Sequence, residues 1–587
     1  MEKEIDMALF SPSESPAVVV KEVDLTNGVA NVPSSTGALV GDFSWGPCDE
    51  PTLVNNEAKL VGTFGAPTTS NTTDFHSASY YLRYSDDLYI VREYTSAAKN
   101  AYDSDASSVP LVTNRNDWDN QNISTGADSH TFVAKYPGEL GSSLMISVSG
   151  AGDAGYSSWP YKAFFDGPPQ TSAWAANLDS PAATQINSTI KDEAHVVVID
   201  QDGKFTGTQG TILETFPYVS MAPGAKTTDG TSSHIRNVIN NGSSYVWMSG
   251  FAGKFGSEAG TALTTTSNYT TGFTADVNIS LVGGVNSGTL ATADYATGFD
   301  HFEDPNALSI DFMIAPGVPS SADQTTIVND LVSTAQSIRK DCMVVTSPNR
   351  AAVVGAATPV ATTLAAVAGF TRSSYLAVDN NYLKVYDKYN DQYIRIPAAS
   401  STAGLMAATD NNFAPWFSPA GTRRGQYFGV TSLEHSPNKS ERDQLYQAGI
   451  NPISNIPGQG ILLYGDKTHL ARPSAFDRIN VRRLFLVLER AISAAAQNIL
   501  FEFNDEFTRA EFVNIIEPLL RDVKGRRGIT DFKLVCDETN NTPLIVDTNQ
   551  FIATLFIKPA RSINFITLNF TAVRTGVAFE EVVGTLS

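Results

Sequence analysis

Three groups of residues are of types that could do chemistry. The run Gly460-Ile461-Leu462-Leu463-Tyr464-Gly465-Asp466-Lys467-Thr468 follows a short apolar segment and imitates a phosphate-cradling loop. Such a loop aims backbone amides and a lysine at phosphate oxygens; here Asp466 breaks the spacing and puts a carboxylate where phosphate would sit. The segment reads as a turn. The seven histidines, at 76, 130, 195, 234, 301, 435 and 469, show no metal-ligand spacing. Asp387, Asp391 and Asp410-Asn411-Asn412 supply oxygens, but no twelve-residue loop with a central glycine and closing glutamate follows them. No nucleophile-elbow pattern occurs either. The sequence therefore offers no catalytic, cofactor or metal site, and an enzyme is not expected.

Charge and composition narrow the class. The 587 residues are 42% hydrophobic and 10% aromatic, ordinary for globular protein and enough for several domains. A net charge of −21 argues against direct nucleic-acid binding, which needs a basic footprint. The acidity is uneven: Phe476 to Arg574 carries 13 basic residues against 12 acidic ones, so this segment could face an acidic partner. Cys48, Cys342 and Cys536 are far apart and odd in number, as expected of buried free thiols in a reducing compartment. Ala351 to Phe370 is uncharged but rich in Ala, Thr and Gly with Pro359, a poor membrane span, and the acidic N-terminus lacks the pattern of a signal peptide. A soluble product with no membrane insertion is expected.

The elements that would position these residues are clearest near the end. Val481, Leu484, Phe485, Leu488, Ala491, Ile492, Ala495 and Ile499 have the spacing of one buried helix face, with Arg482, Arg483, Glu489 and Arg490 opposite. Thr508 with Glu511 predicts a capped second helix stapled by Phe507 and Phe512, which Pro518 should kink or split and Lys524 to Gly528 should end. Strands are predicted at Phe532 to Cys536, Phe551 to Ile557 and Ser562 to Val573. In the last, Ile566, Leu568, Phe570 and Ala572 make one apolar row, which could pair within its own domain or with another copy of the chain.

Earlier, Met1 to Ala30 reads as an arm with one strand carrying Val18, Val19, Val20 and Val23. Gly37 to Thr95 reads as an α/β unit, with polar excursions near 99–130 and 256–297. Ser309 to Ser347 predicts a βαβ unit whose helix is capped by Asp323 and buries Ile327, Val328, Leu331, Ala335 and Ile338. A domain boundary is expected near Thr371.

Ser418-Pro419-Ala420-Gly421, Tyr446, Gly449-Ile450-Asn451-Pro452-Ile453, Tyr464-Gly465-Asp466-Lys467-Thr468, Phe476 to Leu484 and Ala560-Arg561-Ser562-Ile563-Asn564 occur in an order that resembles the tail sheath proteins of contractile-tailed bacteriophages, large myovirus type. Phe64-Gly65-Ala66-Pro67, Tyr136 to Gly141 and Leu281 to Gly284 extend the resemblance nearly end to end. Two departures are Ser11-Pro12-Ser13, where the family has Ser-Pro-Gly, and the short span from Val91 to Tyr136.

The resemblance implies a multidomain α+β and α/β protein: arm 1–30, outer β-rich α/β domains 31–370, an α+β core domain 371–560 facing a tail tube, and a strand arm 561–587. It implies a structural virion component, made in the host cytoplasm, that stacks as six-subunit rings around the tube and meets baseplate and tail terminator proteins. Both arms would then add strands to sheets of neighbouring copies. Arg482-Arg483 and Arg526-Arg527 are candidates for tube-facing charge, with ion pairs within or between sheath subunits the other reading. A self-assembling shell or adhesin-type surface protein, or a hydrolase with its site in the outer domains, stays open on the residues alone.

Overall fold

Parallel strands buried on both faces read as unbroken apolar runs, and the first strand is of this kind. The computed structural model describes residues 35–103, 111–121, 131–150, 156–177, 191–222, 224–250 and 276–563. β1 (Gly37–Gly41) is buried throughout; β2 (Thr52–Val54) and β3 (Leu88–Arg92) follow, with helices Glu57–Phe64 and Thr72–Tyr81 between them. β1 runs parallel to β3, with Ala38 opposite Tyr89, and β2 pairs antiparallel at the edge. This is the expected α/β unit.

The chain then leaves this sheet and builds a second one before returning. β4 (Asn100–Asp103), β5 (Phe132–Pro137), β6 (Leu144–Gly150), β7 (Glu193–Asp200), β8 (Thr211–Ser220), β9 (Val246–Met248) and β10 (Val277–Val282) form an antiparallel sheet in the order 8-7-6-10-4-5-9. Both polar excursions hide strands of it. β4 is mostly buried, and β10 lies centrally between β6 and β4 with Ile279 and Leu281 inward. Half-buried strands alternate polar and apolar residues, so composition alone makes them look like loop.

After the helix Thr292–Asp300 the first sheet resumes with β11 (Phe312–Ile314), β12 (Met343–Thr346) and β13 (Leu376–Val378), all parallel, giving the order 13-12-11-1-3-2. Successive residues face opposite sides and both sides are buried. Ala38, Val40, Met313 and Val344 meet one helical layer, and Leu39, Phe312, Ile314 and Met343 meet the other. β13 follows Thr371 yet pairs with β12, so the expected boundary falls inside one sheet. The predicted βαβ unit is present, but Ser320, not Asp323, caps its helix Ser321–Ser333. That helix continues as a π-helical stretch over Thr334–Arg339. The wider turn takes Ile338 off the 3.6-residue stripe, leaving it 49% exposed while Arg339 turns inward.

β14 (Tyr382–Asp387), β15 (Gln392–Pro397) and β16 (Ser432–Leu433) form a small sheet, and β17 (Ile453–Ile456) pairs with β18 (Gly460–Leu463). All of these belong to a larger compact unit, Pro33–Leu486, which resumes at Arg561. A smaller unit takes Val487–Ala560. It holds the helix Glu506–Gly525 and an antiparallel pair, β19 (Ile529–Val535) with β20 (Thr554–Pro559). Asp505, not Thr508, caps the helix, accepting from the Thr508 amide at 2.8 Å. Phe507 is exposed, so the predicted staple does not form, and Pro518 sits inside the helix without ending it. The three cysteines are buried free thiols, and among the described residues no helix is long and apolar enough to cross a membrane.

Candidate functional site

The predicted arm strands, Val18, Val19, Val20 and Val23 at one end and Ile566, Leu568, Phe570 and Ala572 at the other, lie outside the described residues. The root of the C-terminal segment lies within them. In the larger unit, Ser562 donates its hydroxyl to Asp466 Oδ2 at 2.6 Å. Asp466 is 4% exposed and also accepts from Ser418 Oγ at 3.0 Å, Tyr446 Oη at 3.4 Å and Arg478 Nη1 at 2.9 Å.

Local sequence fixes this carboxylate. After β18 the chain turns at Gly465, where a Cβ would come within 2.9 Å of Asn451 Oδ1. Asn451 then accepts from the Lys467 amide at 2.7 Å and donates to the Lys467 carbonyl at 2.8 Å. The Asp466 carbonyl accepts from Ile479 N at 2.8 Å. No helix starts at Thr468, so the segment is the turn expected and not a phosphate cradle. Burial pulls the Arg478 pKa down, but Tyr446 and Asp466 outweigh it and hold the guanidinium above its ordinary value. Burial, then Arg478, lowers the pKa of Lys467, whose ammonium donates to the Tyr446 carbonyl at 2.9 Å. Asp466 is thus a buried anion satisfied from four separate segments, a clamp on the base of the C-terminal segment.

Arg482 and Arg483 are not surface charge. They are 8% and 3% exposed. Arg482 donates to Ser374 Oγ at 3.0 Å and stacks over Tyr375 and Phe476, 4.0 and 4.6 Å from the ring centres. Arg483 pairs with Asp410, donates to the Met406 carbonyl at 3.0 Å and lies over Phe312. The helix Ile479–Gln497 buries its first turn on all sides, and a guanidinium tolerates this because aromatic faces and carbonyls match its plane.

In the smaller unit, Arg526 and Arg527 are exposed beyond the end of the Glu506–Gly525 helix. Arg527 takes a left-handed backbone, φ 66°, and Gly528 N closes the helix end on the Val523 carbonyl at 2.8 Å. Arg526 lies 3.6 Å from Asp522, and Lys524 reaches Asp531 on β19 at 3.0 Å. That hydrogen bond holds the Asp531 carboxyl below the usual range. β19 and β20 form a two-stranded sheet with no further strand on either edge among the described residues. Phe501, Phe503 and Phe507 are 98%, 83% and 77% exposed. The smaller unit thus leaves both large apolar side chains and strand edges uncovered among the described residues.

A profile of the phage tail sheath protein central domain matches residues 288–469, and one of the phage tail sheath C-terminal domain matches 471–572. The tail sheath protein of Enterobacteria phage T4 is 32% identical, with 97% of this chain and 99% of that one covered. Those of Vibrio phage KVP40 and Salmonella phage ViI are 29% and 30% identical, covering 97% and 98% of this chain and 99% and 98% of theirs. Among solved structures, a sheath tail protein from Listeria innocua aligns with TM-score 0.53 at 13% identity, covering 91% of this chain and 94% of that one. One from Desulfitobacterium hafniense aligns with TM-score 0.51 at 12% identity, covering 93% and 100%. These two share the fold.

Proposed function

Since the chain belongs to the phage tail sheath protein family, we propose that this structural subunit stacks as hexameric rings around a tail tube and contracts to drive the tube through the host envelope. The observation that carries the reading is the open-edged β19–β20 sheet. A two-stranded sheet is marginal alone, and added strands would complete it. The donors are the segments with Val18, Val19, Val20 and Val23, and with Ile566, Leu568, Phe570 and Ala572, each from a neighbouring copy. Half a dozen backbone hydrogen bonds at about 0.5–1.5 kcal/mol apiece would make a joint worth several kcal/mol. Such a joint holds while subunit bodies rotate between lattices, and contacts that do not close on themselves propagate as a helix.

In this reading 1–30 and 561–587 are arms and the C-terminal part of the chain faces the tube. The smaller unit is the tube-facing candidate, with Arg526 and Arg527 as its charge. Baseplate and tail terminator proteins are the expected partners at the two ends, in a virion assembled after synthesis in the host cytoplasm. Electron microscopy of the purified chain and of a variant lacking residues 1–23 tests the proposal. Striated tubes or contracted cylinders from the full chain, with dispersed particles or isolated rings from the variant, are expected. Closed shells, or cylinders unaffected by the deletion, would refute the arm mechanism.

A further inference from the structure

The chain passes between its two large sheets twice: outward between β3 and β4, and back between β10 and β11. Three donor residues meet where these crossings leave the first sheet. Glu93 directly follows β3, its amide held by the Gly41 carbonyl at 3.0 Å. Asp49 lies alongside, its amide bonded to the Arg92 carbonyl at 3.2 Å. His301 follows the helix Thr292–Asp300 on the return path. One ligand atom from each of the three lies within 4.8 Å of the other two.

Glu93 supplies a second, independent observation. It is 2% exposed; its carboxyl meets the Tyr94 amide and the Asp49 carboxyl, but its Oε1 has no hydrogen-bond partner among the described residues. The return helix crosses so close that a Cβ on Gly298 would come 2.7 Å from that oxygen, which seals it from water. A buried carboxylate oxygen with no donor is costly unless a cation meets it. The neighbouring guanidinium does not: Arg92 gives Nη1 to the Gly46 carbonyl at 2.9 Å and Nη2 to the Pro137 carbonyl at 2.7 Å.

We propose that Asp49, Glu93 and His301 bind a divalent transition-metal ion that fastens the root of the inserted sheet to the α/β body. Two carboxylates and an imidazole suit Zn²⁺ or Mn²⁺, with water in the remaining positions; Ca²⁺ takes six to eight oxygens and fits poorly. The ion joins residues 49, 93 and 301, so it stabilises the folded arrangement in proportion to its occupancy.

Calorimetric titration of the full chain, stripped with chelator and desalted, tests this with Zn²⁺, Mn²⁺, Mg²⁺ and Ca²⁺ in parallel. One Zn²⁺ or Mn²⁺ per chain is expected, with a thermal midpoint that rises with metal concentration. E93Q and H301A should each weaken binding by at least about tenfold. E93Q replaces the carboxyl by an amide of the same shape, and H301A serves as a second variant should E93Q fail to fold. Absent binding, equal binding by H301A, or a Ca²⁺ affinity matching that for Zn²⁺ would each overturn the proposal.

Discussion

Replacing Asp466 by alanine leaves the Arg478 guanidinium only the longer 3.6 Å carboxylate contact to Asp477 and removes the acceptor that Ser562, Ser418 and Tyr446 share. Removing one partner of a buried ion pair costs about 3–5 kcal/mol, and Arg478 is partly exposed, so a loss of about 3 kcal/mol in denaturant unfolding is expected. The chain just beyond Ser562 should also become more sensitive to protease; equal cleavage rates would remove Asp466 as its anchor. His469 gives a pH test. It is buried, its Nδ1 facing the Gly449 carbonyl, and burial, then Arg372, lowers its pKa from 6.5 to about 4. The folded state therefore disfavours the imidazolium: the stability is fully present above pH 6.5 and is lost as pH falls towards 4. Between wild type and H469Q the unfolding free-energy difference should shift by up to about 3 kcal/mol over that window, and a flat difference would reject the assignment. Neither residue was legible as important from its neighbours. Asp466 looked like the group that spoils a phosphate loop, and only its four partners, brought from 418, 446, 478 and 562, show what it does.

At the scale of elements, the helix Ala399–Asn412 shows how close packing selects residues. It is lined by small side chains and packs into the core beside β11 and β12. At Gly404 a Cβ would come 2.6 Å from Tyr84 Cδ2. Tyr84 is held in turn by the Phe428 amide, which donates to its hydroxyl at 2.8 Å, so the ring cannot simply step aside. G404A should lower the thermal midpoint through about 1–3 kcal/mol of overpacking, although alanine is the better helix former. An unchanged or raised midpoint would mean that the two elements can separate at no cost. The long apolar periodicities were legible because one buried face imposes them: Val481, Leu484, Leu488, Ala491 and Ala495 are all buried. Exact helix starts were not. Ser320 and Asp505 cap where Asp323 and Thr508 were expected, because adjacent polar residues compete and the turn before the helix decides which hydroxyl or carboxylate meets the free amides.

For the whole molecule, the charge expected to face the tube reduces to one pair. Arg482 and Arg483 hold the body together, whereas Arg526 and Arg527 stand in solvent. If the exposed pair meets an acidic tube, R526E/R527E should reduce tube-templated assembly at low ionic strength, and the deficit should shrink as salt screens the contact. Assembly equal to wild type at low salt would take these residues out of that role.

The sequence by itself determined the elements with a long apolar period and carried the family resemblance, since apolar period is local and ordered motifs survive 29–32% identity. It also determined that no contiguous run carries catalytic spacing. The tertiary structure decided which charges are buried, that residues on both sides of Thr371 share one sheet, and that Asp49, Glu93 and His301 come together. Strand pairing and burial join residues hundreds of positions apart, and no local pattern encodes a distance that only the closed sheet creates.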